Sequence, residues 1–181
     1  MSSSAIRSLP RTLTPGTWVL DPEQSSVKFM VLSMPPAWGR FTELEGSLEV
    51  GEDALANGRG QIAASSIRTG FPPRDAHLRS SHFFDVERHA RITAAVSLAE
   101  NTSGQASVDV ALTIKGVTRN VHLDGVVAPV NGKPGSARVS ASGSINRRDF
   151  GVSWLGADRL MIGNRVRIRL DLMVTIEPNR A

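Results

Sequence analysis

The sequence contains no cysteine, and this absence excludes disulfide bonds, thiol nucleophiles and thiolate metal ligands together. It also contains no run of roughly 20 apolar residues, the length that a membrane-spanning helix needs. The N-terminal residues MSSSAIRSLPRTLTPGTW lack the shorter apolar core of a signal peptide. We therefore expect the protein to stay in the cytoplasm.

Lysine is scarce, since Lys28, Lys115 and Lys133 are the only ones, and the basic character of the chain comes from arginine. The net charge is +4 and the pI is near 10.6. Basic residues are dispersed along the chain with acidic residues among them, and no stripe of basic and aromatic residues appears. The sequence therefore predicts no nucleic-acid partner, and its arginine and alanine bias is typical of a GC-rich genome.

The length and composition predict one globular domain. The chain has 181 residues, of which 40% are hydrophobic and 21% are charged, and this is enough to bury a real core. Residues 1–16 are rich in serine, proline and threonine and predict a flexible N-terminal segment. We expect the domain over residues 17–177, followed by a short tail at residues 178–181.

Apolar and polar residues alternate along most of the chain, with the period of two that is typical of half-buried β-strands. The clearest run places apolar residues at every second position from Val166 to Ile176, with Arg165, Arg167, Arg169 and Asp171 between them. Turn signals separate the runs at Glu52-Asp53, Asn57-Gly58, Ser103-Gly104, Lys115-Gly116, Asn131-Gly132 and Gly163-Asn164. This pattern predicts an all-β fold, either an antiparallel sandwich or a closed barrel.

The segment 65–87, SSIRTGFPPRDAHLRSSHFFDVE, departs from the alternation. It places basic, acidic and imidazole groups within six residues, at Arg74, Asp75, His77 and Arg79, and then continues to Phe83 and Phe84. We expect one short helix over about residues 74–80, because the prolines just before it are tolerated at the start of a helix. This segment is either a catalytic centre or the polar rim of an apolar pocket.

Small residues recur at inward positions of the predicted strands. Ala137, Ala141 and Gly143 share one face of a strand, and Ala94 and Ala106 stand at similar positions elsewhere. Small inward residues leave space inside a barrel of about eight strands, which is wide enough to hold one ligand. They favour a cavity, although they also suit the taper of a barrel that is filled by side chains.

Short motifs follow one another along the chain from about Trp18 to Val174. They are Leu20-Asp21-Pro22, Ser25-Ser26-Val27-Lys28-Phe29, Gly39-Arg40-Phe41-Thr42, Gly46-Ser47-Leu48, the run from Ala64 to Gly70, RDAHLRS at 74–80, Phe83-Phe84-Asp85-Val86, LTIKGVTR at 112–119, Ile145-Asn146-Arg147 and Asp149-Phe150-Gly151. In this combination the chain resembles the YceI-like family of bacterial polyisoprenoid-binding proteins.

The resemblance implies a closed antiparallel lipocalin-like barrel of about eight strands with one short helix. It implies a long-chain amphiphile inside the barrel, such as an isoprenoid quinone, a polyprenyl phosphate or a fatty amide. It implies no catalysis and no covalent cofactor. Many relatives are exported and relatives are often dimeric, so a homodimer and transient membrane contact stay open as expectations.

The ligand-binding residues that we expect fall into two groups. Polar residues at the mouth of the pocket would orient a quinone carbonyl or a phosphate, and the candidates are His77, Arg79, Arg40 and Arg119. Apolar residues would line the pocket beneath them, and the candidates are Phe29, Phe41, Phe71, Leu78, Phe83, Phe84, Phe150 and Trp154. Ordinary core packing explains each aromatic residue equally well.

Other interpretations of the same residues give the protein a different function. Asp75, His77 and Ser80 could act as a hydrolytic triad, although Asp75 and His77 point to different faces of a helix. His77, His82 and His89 have no spacing that is typical of zinc ligands, so we expect no metal site. The segment could also be a structural plug with paired arginine and aspartate residues, in a ligand-free barrel that acts through protein partners.

Overall fold

The computed structural model describes residues 11–33, 35–53, 55–152 and 162–178. Within them the strands are β1 (Gly16–Ser33), β2 (Ala37–Phe41), β3 (Leu44–Val50), β4 (Leu55–Ala63), β5 (Ile67–Arg68), β6 (Arg91–Glu100), β7 (Gln105–Ile114), β8 (Val117–Pro129), β9 (Ser136–Asn146) and β10 (Ile162–Ile176). The helix α1 is Pro72–Arg79, and two short 3₁₀ helices are Ala64–Ser66 and Arg147–Phe150.

Eight of these strands close into a barrel in which every neighbouring pair is antiparallel. Around the barrel the order is β1, β3, β4, β6, β7, β8, β9 and β10, and β10 pairs again with β1. A register shift between Asp21 and Ser26 divides β1, so that its first half pairs with β3 and its second half with β2. The predicted closed antiparallel barrel is confirmed, and the sandwich is not formed because no sheet edge separates β10 from β1.

The alternation in the sequence becomes an inside and an outside of the barrel. On β10, Val166, Leu170 and Val174 face the interior, while Arg167 and Arg169 are exposed on the outer surface. The same period of two runs through β6 and β7, whose buried residues alternate with exposed ones. The hydrophobic effect therefore selects the register, since a slip of one residue would expose the whole apolar set.

Buried residues form two clusters along the barrel axis. The Trp18 cluster contains Leu13, Trp18, Val50, Ala56, Leu98, Ala106, Val108, Val110, Leu123, Val127, Ala137, Val139, Ala141 and Val174. The Phe150 cluster contains Val27, Phe41, Leu44, Ala64, Ile67, Phe83, Ile92, Ile114, Phe150 and Val152. The Trp18 cluster is built mostly from small aliphatic residues, whereas all the buried phenylalanines belong to the Phe150 cluster.

The helix α1 begins two residues earlier than predicted, because Pro72 and Pro73 occupy its first turn, where no backbone N–H is needed. It ends at Arg79, after which the N–H of Ser80 donates to the carbonyl of His77 at 3.1 Å. The helix follows β5 and packs against it at the Phe150 end.

Two of the predicted turns are wrong. Asn57-Gly58 lies inside β4 and Gly163-Asn164 lies inside β10. In β4 a Cβ atom on Gly58 would lie 2.2 Å from the carbonyl oxygen of Ser47, so this glycine is required by close approach of two strands and not by a turn. In β10 a Cβ atom on Gly163 would lie 2.7 Å from the carbonyl oxygen of Leu32, for the same reason.

Residues 12–14, near the end of the segment predicted to be flexible, are hydrogen-bonded to the barrel. The buried carboxylate of Glu100 accepts hydrogen bonds from the backbone N–H groups of Thr12 and Leu13, at 2.9 and 3.1 Å. The indole N–H of Trp18 donates to the carbonyl of Thr14 at 2.9 Å. These bonds satisfy polar groups that burial would otherwise leave unpaired. Among the described residues, no helix is long and apolar enough to cross a membrane.

A candidate ligand-binding cavity

A cavity of about 280 Å³ lies inside the barrel. Inward residues from β1, β3, β4 and β6 through β10 form its wall, and they are almost all aliphatic or aromatic. Two predicted small residues, Ala94 and Ala141, border it, while Ala106 and Ala137 do not, although Ala141 belongs to the Trp18 cluster as they do. The small inward residues therefore serve both purposes that the sequence allowed, a cavity along part of the axis and close packing at one end.

On one side of the cavity, glycines leave the wall without side chains. Gly46 on β3 lies directly opposite Gly60 on β4, and Gly60 lies opposite Ala94 on β6. Glu45 and Arg59 border the cavity although their side chains are exposed outside, so the wall here is main chain. Sequence reasoning noted Gly46 inside a motif but missed the pairing of the glycines. A glycine at an inward-facing position of a strand is the sequence signal that could have revealed this pairing.

Aromatic residues close around the cavity at the Phe150 end. The rings of Phe29 and Phe41 are 5.7 Å apart between centroids, and Phe41 meets Phe84 edge-on at 6.1 Å. Phe83 and Phe150 are buried, with 5% and 1% of their surface exposed. Six residues expected as ligand contacts border the cavity: Phe29, Phe41, Leu78, Phe83, Phe84 and Phe150. Their contact with a ligand stays a prediction.

Arg147 is a buried cation in the cavity wall. The sequence did not predict it as a ligand contact. It is 5% exposed, and its guanidinium donates to the carbonyls of Gly163, Val152 and Ile162 at 3.0, 3.1 and 3.3 Å. Burial lowers the pKa of this guanidinium, and the charge of the neighbouring Arg148 lowers it further. Of the buried polar residues that the structure describes, Arg147 alone borders the cavity.

No carboxylate among the described residues lies within 4.0 Å of the Arg147 guanidinium. A buried charge normally has an opposite charge beside it, because neutral carbonyls offset only part of the cost of desolvation. Sequence reasoning noted Arg147 inside a motif but assigned it no role. Its hydrogen-bond partners Gly163 and Ile162 are distant in sequence, and no local pattern could reveal them.

The structure does not place the three predicted arginines at the cavity. Arg79 donates from Nε and Nη2 to the carbonyls of Ser65 and Ile67, both at 2.8 Å, so it ties α1 to β5. Arg40 points outward from β2 and is exposed. Arg119 is at an inward-facing position of β8. It is nevertheless exposed, near the β7–β8 turn, and it donates to the carbonyl of Thr118. The place of these residues near the ends of strands does not determine where their flexible side chains point.

His77 and Phe71 also lie away from the cavity wall. His77 is exposed on α1, where its ring stacks on His82 at 6.1 Å and meets the edge of Phe83 at 5.5 Å. Phe71 precedes the helix and is 55% exposed, with the Arg74 guanidinium 6.0 Å from its ring centre. Trp154, the last predicted lining residue, lies outside the described residues.

Asp75 is buried by a network that fixes the start of α1. Its carboxylate accepts hydrogen bonds from the backbone N–H of Thr69 at 2.8 Å and from the Thr69 hydroxyl at 2.5 Å. Burial alone would raise the pKa of Asp75, but the hydrogen bonds from Thr69 and the charges of Arg79 and Arg68 lower it below its ordinary value. Arg74 donates to the Thr69 hydroxyl and carbonyl, so the arginine–aspartate pairs expected of a structural plug are replaced by bonds through Thr69.

The residues of the hypothetical triad point in different directions. The Asp75 carboxylate is bound by Thr69, and the Ser80 hydroxyl donates to the backbone carbonyl of His77 at 2.7 Å. This arrangement lacks the carboxylate–imidazole–hydroxyl chain that nucleophilic catalysis requires. In the part of the chain that the structure describes, no three histidine, aspartate or glutamate side chains are grouped as metal ligands.

The fold and the cavity together define a closed eight-stranded antiparallel barrel with an apolar interior and one buried cation in its wall. A model of the YceI-like domain matches residues 18–174, so the chain belongs to the YceI-like family. This confirms the resemblance carried by the sequence motifs.

Curated relatives and solved structures agree with this assignment. The chain is 27% identical to a UPF0312 protein of Serratia proteamaculans over 139 residues, 72% of each chain. It is 29% identical to a UPF0312 protein of Staphylococcus aureus strain N315 over 163 residues, 83% of this chain and 92% of the relative.

Two solved structures share the fold at lower identity. BcnA of Burkholderia cenocepacia has a TM-score of 0.77 at 21% identity and covers 86% of this chain and 99% of its own. A polyisoprenoid binding domain from Saccharophagus degradans has a TM-score of 0.70 at 17% identity and covers 88% of this chain and 98% of its own. At these identities the likeness concerns the fold alone.

Proposed function

We propose that the protein binds a long-chain amphiphile, an isoprenoid or isoprenoid quinone, non-covalently in the barrel cavity and performs no catalysis. The observation that carries this proposal is the cavity itself, which has an almost wholly apolar wall beneath five phenylalanine residues. The Saccharophagus structure with the same fold, described as a polyisoprenoid binding domain, supports the same class of ligand.

Burial of the apolar tail supplies the driving force. A tail that transfers about 300 Å² of apolar surface from water gains about 7 kcal/mol, before the costs of association and ordering. The cavity of about 280 Å³ lies near the lower end of the range for ligand pockets. A longer tail would therefore displace rings of the Phe29, Phe41 and Phe84 group, whose members are only partly packed against one another.

Arg147 would orient the headgroup. Its guanidinium carries five N–H groups, of which three are bonded to backbone carbonyls. The two donors without a partner among the described residues, and a charge with no described carboxylate beside it, suit a quinone carbonyl or a phosphate oxygen at the cavity wall. Of the headgroup contacts favoured by the sequence, His77 is exposed on α1 and does not border the cavity, and Arg79 is bonded to the carbonyls of Ser65 and Ile67.

A pair of neighbouring substitutions tests the proposal. Ala94→Phe fills the cavity, while Ala95→Phe adds the same side chain to the exposed outer face of the same strand. Native mass spectrometry of the purified proteins, before and after incubation with an isoprenoid quinone, reports the bound mass directly. We expect bound lipid in the wild type and in Ala95→Phe, and at least a tenfold weaker signal in Ala94→Phe.

The alternatives give other results in the same experiment. A ligand-free barrel that acts through protein partners would show no bound mass in the wild type, even after incubation with quinones. A hydrolase would release products from an ester panel and lose that activity in His77→Ala. Either result would overturn the proposal.

A further inference from the structure

Basic residues that are dispersed in the sequence meet on one outer face of the barrel. Arg169 on β10 lies opposite Lys28 on β1, Lys28 lies opposite Arg40 on β2, and Arg40 lies opposite Arg68 on β5. All of them are exposed, and directly paired residues on antiparallel strands have their side chains on the same face. Four cations therefore form one row across four neighbouring strands, about 15 Å wide at the usual strand spacing.

Further cations extend the row along β10. Arg167 and Arg165 share the outer face with Arg169, and both are exposed. The neighbouring strand β9 presents serines opposite Arg167 and Arg169, at Ser144 and Ser142, and no acidic residue. We call the set of Lys28, Arg40, Arg68, Arg165, Arg167 and Arg169 the basic face.

The cations of the basic face form no ion pair with a described carboxylate, and Arg68 acts on Asp75 only at longer range. Among the described residues none of its six cations has a carboxylate within 4.0 Å, whereas Arg91 and Arg138 elsewhere on the barrel are paired with Glu45 and Asp171. Like charges directly opposite each other on neighbouring strands destabilise a sheet. Such a row lowers the stability of the isolated protein. An anionic surface against the row would offset this loss.

Apolar groups continue the same face toward the β1–β2 connection. Met30 lies opposite Arg167 on one side and Trp38 on the other. Trp38 and Leu32 are 65% and 68% exposed, among the most exposed large apolar residues that the structure describes. From Lys28 to Leu32 the outer face of β1 thus changes from charged to apolar over about 13 Å.

We propose that the basic face, with Trp38 and Leu32 at its edge, docks the protein on a membrane surface that carries anionic phospholipids. Cations near such a surface contribute cumulatively, and tryptophan prefers the headgroup region of the bilayer. The aliphatic Leu32 and Met30 favour a membrane over a nucleic acid, since they suit acyl chains and offer nothing to a base or a phosphate. The inner side of the same strand, at Phe29 and Val31, borders the cavity, so docking would bring the cavity close to the lipid.

Vesicle flotation with the purified full chain tests this inference. The wild type should bind vesicles of phosphatidylcholine with phosphatidylglycerol, should bind phosphatidylcholine alone weakly, and should be released by high salt. The double variant Arg40→Gln with Arg169→Gln should lose about 30-fold in vesicle partition. The double variant Arg59→Gln with Arg88→Gln removes the same charge from exposed sites outside the basic face and should lose little.

Trp38→Ala distinguishes the apolar edge from the charges, because its smaller loss of binding relative to the wild type should stay the same at every salt concentration at which the wild type still binds. Neutralising paired like charges should keep or raise the melting temperature, so unfolding of the charge variants would not imitate a binding defect. Equal binding to neutral and anionic vesicles, equal losses in the two double variants, or tighter binding to duplex DNA than to anionic vesicles would overturn the proposal. The readout does not require an occupied cavity, so its outcome is independent of the proposed function.

Discussion

At the outer tip of the Trp18 end, the side chains fill the interior of the barrel, whereas nearly the whole Phe150 cluster surrounds the cavity. Between them, half of the Trp18 cluster, including Leu98, Val110 and Leu123, also borders the cavity. Trp18, Leu13 and Val127 are buried and do not border the cavity. At the other end Phe83 and Phe150 are equally buried, but they do border it. The comparison shows that burial of a side chain does not by itself separate core packing from a binding wall.

Each end also has a buried carboxylate that holds a peripheral segment. Glu100 accepts hydrogen bonds from the backbone of residues 12 and 13, and Asp75 accepts them from Thr69 before α1. The polar groups thus fix the segments that cover the barrel, and the apolar groups decide whether the space beneath is filled.

The largest expected effect concerns the filled end. Trp18→Ala should lower the free energy of unfolding by about 3–5 kcal/mol, because it opens a new cavity in a closely packed cluster and removes the indole bond to Thr14. Phe84→Ala should lower it by about half as much, since its ring already borders a space and is partly exposed. Urea unfolding monitored by circular dichroism measures both. Equal losses would show that the two ends are packed alike.

A smaller effect is expected for two glycines on β4. A methyl group on Gly58 would lie 2.2 Å from the Ser47 carbonyl oxygen, whereas on Gly60 its nearest neighbour would be the Glu45 carbonyl oxygen at 3.7 Å. Gly58→Ala should therefore lower the free energy of unfolding by about 1–3 kcal/mol. Gly60→Ala should leave it within about 1 kcal/mol of the wild type or raise it. Thermal unfolding of both variants provides the comparison, and a large loss in Gly60→Ala would mean that no space lies at that wall.

The smallest effect concerns the cover of the Phe150 end. Asp75→Asn should lower the free energy of unfolding by about 1–2 kcal/mol at neutral pH, because it weakens the hydrogen bonds from Thr69. The folded protein lowers the pKa of Asp75, so its ionised form contributes stability above the ordinary pKa of about 3.9. This contribution is lost as the pH falls through the folded pKa.

The difference between the wild type and Asp75→Asn should therefore shrink when unfolding is measured below about pH 4. Thr69→Val removes the hydroxyl donor but keeps the backbone N–H of residue 69, so it should cost less than Asp75→Asn. A stability difference that stays constant down to low pH would contradict an ionised Asp75 in the folded state.

Sequence reasoning succeeded where the physical cause is local. The period of two on β10 predicted which residues face the interior, and the prolines before α1 predicted a short helix. Alternation and helix starts depend on neighbouring residues, so the sequence carries them directly.

It was incomplete where the cause is a contact between distant parts of the chain. Arg147 makes its bonds to main-chain carbonyls beyond the reach of any local motif, and it was given no role. Gly58 was interpreted as a turn residue because glycine after asparagine is typical of turns, while the actual cause is the neighbouring strand. Arg79 was predicted to contact the ligand at the cavity mouth, and in the structure it is bonded to the carbonyls of Ser65 and Ile67 and does not border the cavity.

By itself, the sequence determined the β-strands, their inward faces and the family motifs, because these follow from the order of apolar and polar residues along one chain. Only the tertiary structure decided where the barrel is filled, which buried arginine borders the cavity and that six dispersed cations share one face. The physical reason is that closure of the sheet brings together residues more than a hundred positions apart, as it does for Lys28 and Arg169. Packing, desolvation and charge repulsion between such residues exist only after the strands have paired.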